Sequence, residues 1–219
     1  MKAFASFSGG KESTLSCYRA TKSGINISYL VNMISEDGLY SRSHGISSEA
    51  LRIQAESVGI PLIQRKTSWR DYEEGFKRVI SEVKKEGIEA GVFGDIDLQE
   101  HRDWVERVCS EVGIKPILPL WDEDREQILK EFIEVGFKAV IVATKADFLG
   151  KEWLGRRIDE KFIKDLKTLD IDLCGEEGEY HTFVFDGPLF RKSVKIITGK
   201  KVLRDDHWFL EIIPEAVRR

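Results

Sequence analysis

The sequence predicts an α/β protein: a Rossmann-like, doubly wound parallel sheet over residues 1–144 and a smaller α+β subdomain over 145–219. Three observations predict it. Short apolar runs alternate with amphipathic stretches through the first part, the pattern of strands that feed crossover helices. A glycine-rich turn, Ser8-Gly9-Gly10-Lys11-Glu12-Ser13, joins the first apolar run to the first amphipathic one. After about Thr144 the alternation gives way to one helical stretch and several short strand-like runs.

Taken in order, Ala3–Phe7 reads as a strand and Glu12–Thr21 as the helix that follows the turn. The runs 27–34, 61–63, 90–93, 116–118 and 139–143 read as further buried strands of the same parallel sheet. Between them, Tyr72, Phe76, Val79, Ile80 and Val83 fall at helical spacing, as do His101, Trp104, Val105, Val108 and Val112, and then Ile128, Leu129, Phe132 and Ile133. In such sheets ligands sit beyond the C-terminal ends of the strands, where strand order reverses. That rule singles out Met33–Gly38 after the second strand and Gly94-Asp95-Ile96-Asp97 after the fourth. Gly94 permits close backbone approach. Asp95 suits a magnesium ion or a ribose hydroxyl, while Asp97 is the better helix cap. Beyond residue 144, the stretch 158–169 reads as a helix and 194–197, 201–203 and 208–213 as strands.

The turn carries the chemistry. A tight strand-to-helix connection leaves backbone N–H groups pointing outward at the positive end of the helix dipole, which makes an anion site. Gly9 and Gly10 let the backbone approach phosphate oxygens, Lys11 adds a point charge, and Ser8 and Ser13 add hydroxyl donors. A Walker A loop is excluded because Ala5 stands where its first glycine belongs and Glu12 separates Lys11 from the hydroxyl. No G-x-G-x-x-G fingerprint is present either. A second polar segment runs from Cys174 to His181; if 177–183 is extended, Glu177, Glu179 and His181 share one face. Such a face can bind a cation or a metal, or move a proton; structural zinc lacks ligands.

Composition bounds the function. One third of the residues are charged (33%), the net charge is −4 and the pI is about 5.7, which argues against unassisted nucleic-acid binding. No apolar run nears the roughly 20 residues of a membrane span, and the first strand begins too early for a signal peptide. Cys17, Cys109 and Cys174 are widely spaced, so a reducing cytoplasm is the expected location.

Ser8–Ser13 resembles the S-G-G-x-D-S signature of the PP-loop ATP pyrophosphatases, with Glu12 at the usual Asp. With Ser43-His44-Gly45, Phe93-Gly94-Asp95-Ile96, Trp153-Leu154-Gly155-Arg156 and Gly178-Glu179-Tyr180-His181-Thr182, the whole chain resembles the diphthine–ammonia ligase family of that superfamily. The resemblance implies a PP-loop type of sheet and a two-step reaction. The carboxylate of diphthine on translation elongation factor two attacks the α-phosphorus of ATP, pyrophosphate leaves, and ammonia, arriving free, displaces AMP. Residue reading and resemblance together assign Ser8, Gly9, Gly10, Lys11, Ser13, Met33, His44, Gly94 and Asp95 to ATP, and Asp95 also to magnesium. They assign Lys11, Asp95, Glu179 and His181 to catalysis. Trp153, Arg156, Glu177, Glu179, Tyr180 and His181 fall to the acceptor, with Tyr180 or Trp153 as cation–π partners of its trimethylammonium group. Two alternatives stay open: a thiolase-like RNA-modifying enzyme, and a non-catalytic ATP or AMP sensor. Either a monomer or a homodimer fits the sequence.

Overall fold

A computed structural model describes residues 1–42 and 45–215. Five strands, β1 (Lys2–Ser6), β2 (Asn26–Ile34), β3 (Leu62–Lys66), β4 (Ala90–Val92) and β5 (Lys115–Ile117), form an all-parallel sheet in the order β3-β2-β1-β4-β5. Four helices connect or follow them: α1 (Lys11–Lys22), α2 (Ser48–Val58), α3 (Tyr72–Lys84) and α4 (Gln99–Val112). Alternating side chains of β1 show the double winding. Phe4 packs with Phe76, Val79, Ile80 and Val83 of α3 and with Val105 and Val108 of α4, whereas Ala3 and Ala5 face Cys17 and Ala20 of α1 and Ala55 of α2. Strand order reverses between β1 and β4, so the crevice beyond their C-terminal ends is the switch point.

The second unit contains α5 (Arg125–Glu134), β6 (Lys138–Lys145), α6 (Glu160–Leu166), β7 (Tyr180–Asp186), β8 (Lys195–Arg204) and β9 (His207–Glu215), with strand order β7-β6-β9-β8 and every pairing antiparallel. Here the structure corrects the sequence reading. Residues 139–143, an apolar run indistinguishable from its neighbours by composition, belong to β6 of this second sheet and not to the parallel one. A strand buried on both faces looks the same in either kind of sheet, and pairing direction leaves no mark on it. The runs 194–197 and 201–203 are a single strand, β8, whose register shifts between Thr198 and Lys201. The helix expected over 158–169 is shorter; Asp159 caps it by accepting from Phe162 N at 2.8 Å. Asp97 does not cap α4. That position falls to Leu98, and the Asp97 carboxylate instead pairs with Arg125 at 2.7 and 2.8 Å.

The two units share one apolar cluster. Leu15 of α1, Leu51 of α2, Ile96 and Leu120 pack into the same cluster as Ile141, Phe162, Tyr180 and Phe183.

Candidate active site

The turn after β1 is held by its neighbours on both sides. Gly9 has φ +79°, and a Cβ there would meet Leu51 Cδ2 at 2.4 Å and Gln54 Oε1 at 2.6 Å, so only glycine fits. Its carbonyl accepts from Gln54 Nε2 and from Val184 N of β7, each at 3.0 Å. Gly10 stands at the N-cap of α1 without a side chain to offer, and the first amide, Lys11 N, is taken by Thr182 Oγ1 of β7 at 3.0 Å. The helix cannot satisfy the amides of Glu12 and Ser13 internally, and both residues line the adjoining cavity. Ser8 and Ser13 hydroxyls lie 3.1 Å apart at its edge. Gly94, after β4, presses on this first turn: a Cβ would stand 2.9 Å from Ser13 N. The phosphate-type loop is thus wedged between β4 and β7.

The cavity measures about 530 Å³ and opens at the β1/β4 switch point. Ser8, Lys11, Glu12, Ser13, Gly94 and Asp95 line it from the parallel-sheet unit, and Glu176, Tyr180, His181 and Thr182 from the second unit. Lys11 is 3% exposed and sits over the Tyr180 ring at 4.4 Å, with Nζ 2.6 Å from Cys174 O and 2.5 Å from Glu12 Oε1. Burial works against this ammonium, but Glu12, Tyr180 and Cys174 outweigh it and hold its pKa above the ordinary lysine range. His181 is driven the other way: burial, then Lys11, lowers it to about 4, so the imidazole is neutral at pH 7. Asp95 lies 3.2 Å from His101 Nδ1, and that contact raises the histidine pKa.

Several expected site residues lie elsewhere. Met33 packs in the core against α3, away from the cavity, because the inward side of β2 is needed for the sheet's hydrophobic layer. Gly9 and Gly10 shape the loop without lining the cavity. Strand β7 begins only at Tyr180, so Glu177 and Glu179 do not share an extended face with His181. Glu179 is 2% exposed and turned inward, accepting from Asp172 N and Glu177 N at 3.1 Å each. Its carboxylate braces the 172–179 turn. Trp153 and Arg156 stack on each other at 4.1 Å, with Arg156 paired to Asp165 at 2.6 Å, and neither lines the cavity. His44, like Ser43, lies outside the described residues.

Other cavity residues escaped the sequence reading. His101 and Trp104 fall at core spacing on α4, yet they occupy its first two turns, beyond the strand ends, and open into the cavity. Glu176 hid among four acidic neighbours. Trp69 and Tyr72 form the far wall, stacked at 5.9 Å with the Arg42 guanidinium 5.1 Å over Trp69. Their place after β3, at the same edge of the sheet as the phosphate-type loop, was the available signal. Among the described residues, no group of three or more His, Cys, Asp or Glu side chains is placed to hold a metal ion. Asp95 therefore suits magnesium only in the manner of one carboxylate beside substrate phosphates.

Comparison with known proteins agrees with this geometry. A family model described as the diphthamide synthase N-terminal domain matches residues 1–116, and the diphthamide synthase C-terminal domain matches 124–217. The chain is 29% identical to the diphthine–ammonia ligase of Rattus norvegicus and 28% to that of Homo sapiens, covering 97% of this chain and 89% of each relative. Identity to the Schizosaccharomyces pombe enzyme of the same name is 29% over 93% of this chain, which spans only 37% of that longer protein. Among solved structures, a predicted subunit of tRNA methyltransferase from Methanocaldococcus jannaschii superposes with a TM-score of 0.46 at 17% identity, covering 88% of this chain and 100% of that one, a likeness too loose to inform function. With both halves matched in order, the chain belongs to the diphthamide synthase family.

Proposed function

We propose that this protein is an ATP-dependent ligase that adenylates the carboxylate of diphthine on translation elongation factor two and amidates it with free ammonia, releasing AMP and pyrophosphate. The observation that carries the reading is the shared cavity: the loop built to hold phosphates and the start of β7 from the other unit face the same 530 Å³ space. A loop that holds the β- and γ-phosphates leaves the α-phosphorus facing that space, and an acceptor carboxylate entering there is aligned for in-line attack. Ser8, Ser13, the amides of the first turn and Lys11 stabilise charge on the leaving pyrophosphate. Asp95, beside the substrate phosphates, would hold magnesium, which would supply charge neutralisation there. Tyr180 and His181 face the acceptor, and Glu179 acts on them through the turn that it braces.

We place the boundary between the two units within residues 118–124, between the last parallel strand and α5, earlier than residue 144. The thiolase reading loses its support with the cysteines: burial pushes Cys17 and Cys109 up to about 12 and raises Cys174 further, so none is a ready thiolate. Among the described residues no helix is long and apolar enough to cross a membrane; a cytoplasmic site of action follows from the proposed substrate. The test is product analysis. Incubation with labelled ATP, ammonium and diphthine-bearing factor should give AMP and pyrophosphate in step with amide; ADP and phosphate would overturn the assignment.

A further inference from the structure

The 172–179 turn is a frame of carboxylates with two members left over, Glu177, which is exposed, and Glu176, which lines the cavity. Asp172, with a 6% exposed side chain, pairs with Arg125 at 2.8 Å and accepts from Cys174 N at 3.1 Å and Glu176 N at 2.6 Å. Glu179 accepts from the amides of Asp172 and Glu177. Glu176 is held by its backbone in this frame, and it lines the same cavity as Glu12. Among the described residues its carboxylate makes no hydrogen bond or ion pair. A built frame that presents one of its two unpartnered carboxylates to the cavity beside a phosphate-type loop has a chemical use. We propose that Glu176 is a catalytic residue of the amidation step, the base that takes a proton from the incoming ammonium ion.

The proposal rests on the ligase reading above. At neutral pH the nitrogen arrives chiefly as NH4+, which has no lone pair to attack with. One proton passes to the Glu176 carboxylate; the freed lone pair forms the C–N bond to the acyl carbon. The acyl C–O bond breaks, AMP departs with that electron pair, and the second proton lost from nitrogen goes to the departing phosphate. His101 is tied to Asp95 at 3.2 Å, and several other cavity groups are unsuited to the first transfer. Lys11 is held protonated, His181 is a weak base at about 4, Tyr72 is pushed up to about 12, Glu12 is engaged by Lys11, and Asp95 by His101. The groups facing Glu176 are Glu12 and Lys11 of α1, Asp95 after β4, His101 of α4 and Asp172 of its own turn. Burial, then Glu12, pushes its carboxyl up to about 8, so a minority is ionised at pH 7 and the share able to take a proton grows as pH rises towards 8.

Glu176→Gln separates the two half-reactions. Adenylation, read as ATP–pyrophosphate exchange in the presence of diphthine-bearing factor, should stay within about twofold of wild type. Amidation with ammonium should fall by about 10²–10⁴-fold, the usual contribution of a positioned base. Hydroxylamine, a neutral amine that needs no initial deprotonation, should form the hydroxamate near the wild-type rate. Glu176→Asp, with its carboxylate set back, should recover part of the ammonium activity, and matched thermal melts control for folding. Unchanged ammonium activity, or equal losses with both nucleophiles, overturns the assignment. Loss of exchange in the variant alone also overturns it. A wild-type protein without exchange removes the ligase reading itself, and this proposal with it.

Discussion

Two residues of β7 and its leading turn show how burial reassigns a polar side chain. Glu179 looks catalytic in the sequence because it stands beside His181 in an acidic block, yet its carboxylate is consumed by two backbone amides. Replacing it with Gln keeps the volume but turns one acceptor oxygen into a donor facing an N–H. The expected result is a loss of about 1–3 kcal/mol of stability, read as a lowered urea midpoint. A stable Glu179→Gln protein that binds ATP but cannot amidate would restore Glu179 to direct chemistry. His181 contributes a pH dependence of definite sign. Its folded-state value of about 4 lies below the ordinary 6.5, so the unfolded chain binds the extra proton first. The contribution to stability is complete above pH 6.5 and is lost as pH falls towards 4, by up to roughly 3 kcal/mol. His181→Gln should flatten the stability profile in that window relative to wild type; parallel profiles would show that His181 is well hydrated.

At the scale of elements, the 172–179 turn depends on an arginine from another element. Arg125 at the start of α5 bridges Asp97, after β4, and the buried Asp172. Arg125→Ala leaves Asp172 without its counter-charge, and the amides of Cys174 and Glu176 lose a firm acceptor. Hydrogen exchange at those amides should rise by at least tenfold, with ATP affinity falling less than amidation; unchanged protection would show that the turn holds itself. This bridge marks where sequence reading stops. The turn Ser8–Ser13 was legible because strand–Gly-Gly–helix is a local pattern with local physics, and so were the amphipathic helices α3 and α4. Glu177 and Glu179 were misread because their orientation depends on where β7 begins, which is set by pairing with β6, 35 or more residues earlier in the chain. Residues 139–143 were misassigned for the same reason. His101 and Trp104 were hidden because a helix's first turns can keep core spacing while projecting past the end of the sheet that buries the rest.

Across the whole molecule, the chemistry needs the two units to behave as one body. Several of the contacts that join them shape the phosphate-type loop. Gln54 of α2 donates to Gly9 O at 3.0 Å and to Val184 O at 2.6 Å, Thr182 takes the first amide of α1, and Cys174 O takes the Lys11 ammonium. Beneath them a single apolar cluster runs from Leu15 and Leu51 to Phe162, Tyr180 and Phe183. Neither unit can open without uncovering that core and breaking the nucleotide loop. Calorimetry should therefore record one transition, with the calorimetric and van't Hoff enthalpies equal. ATP at a hundred times its dissociation constant should raise it as a unit, since about 2.7 kcal/mol of binding linkage corresponds to about 5–10 °C for a chain of this size. Gln54→Leu removes both donor contacts and should lower the melting temperature and weaken ATP binding together. Two resolved transitions, with ATP moving only the first unit's, would mean that the units fold independently and that the cavity between them closes only when substrates bring them together.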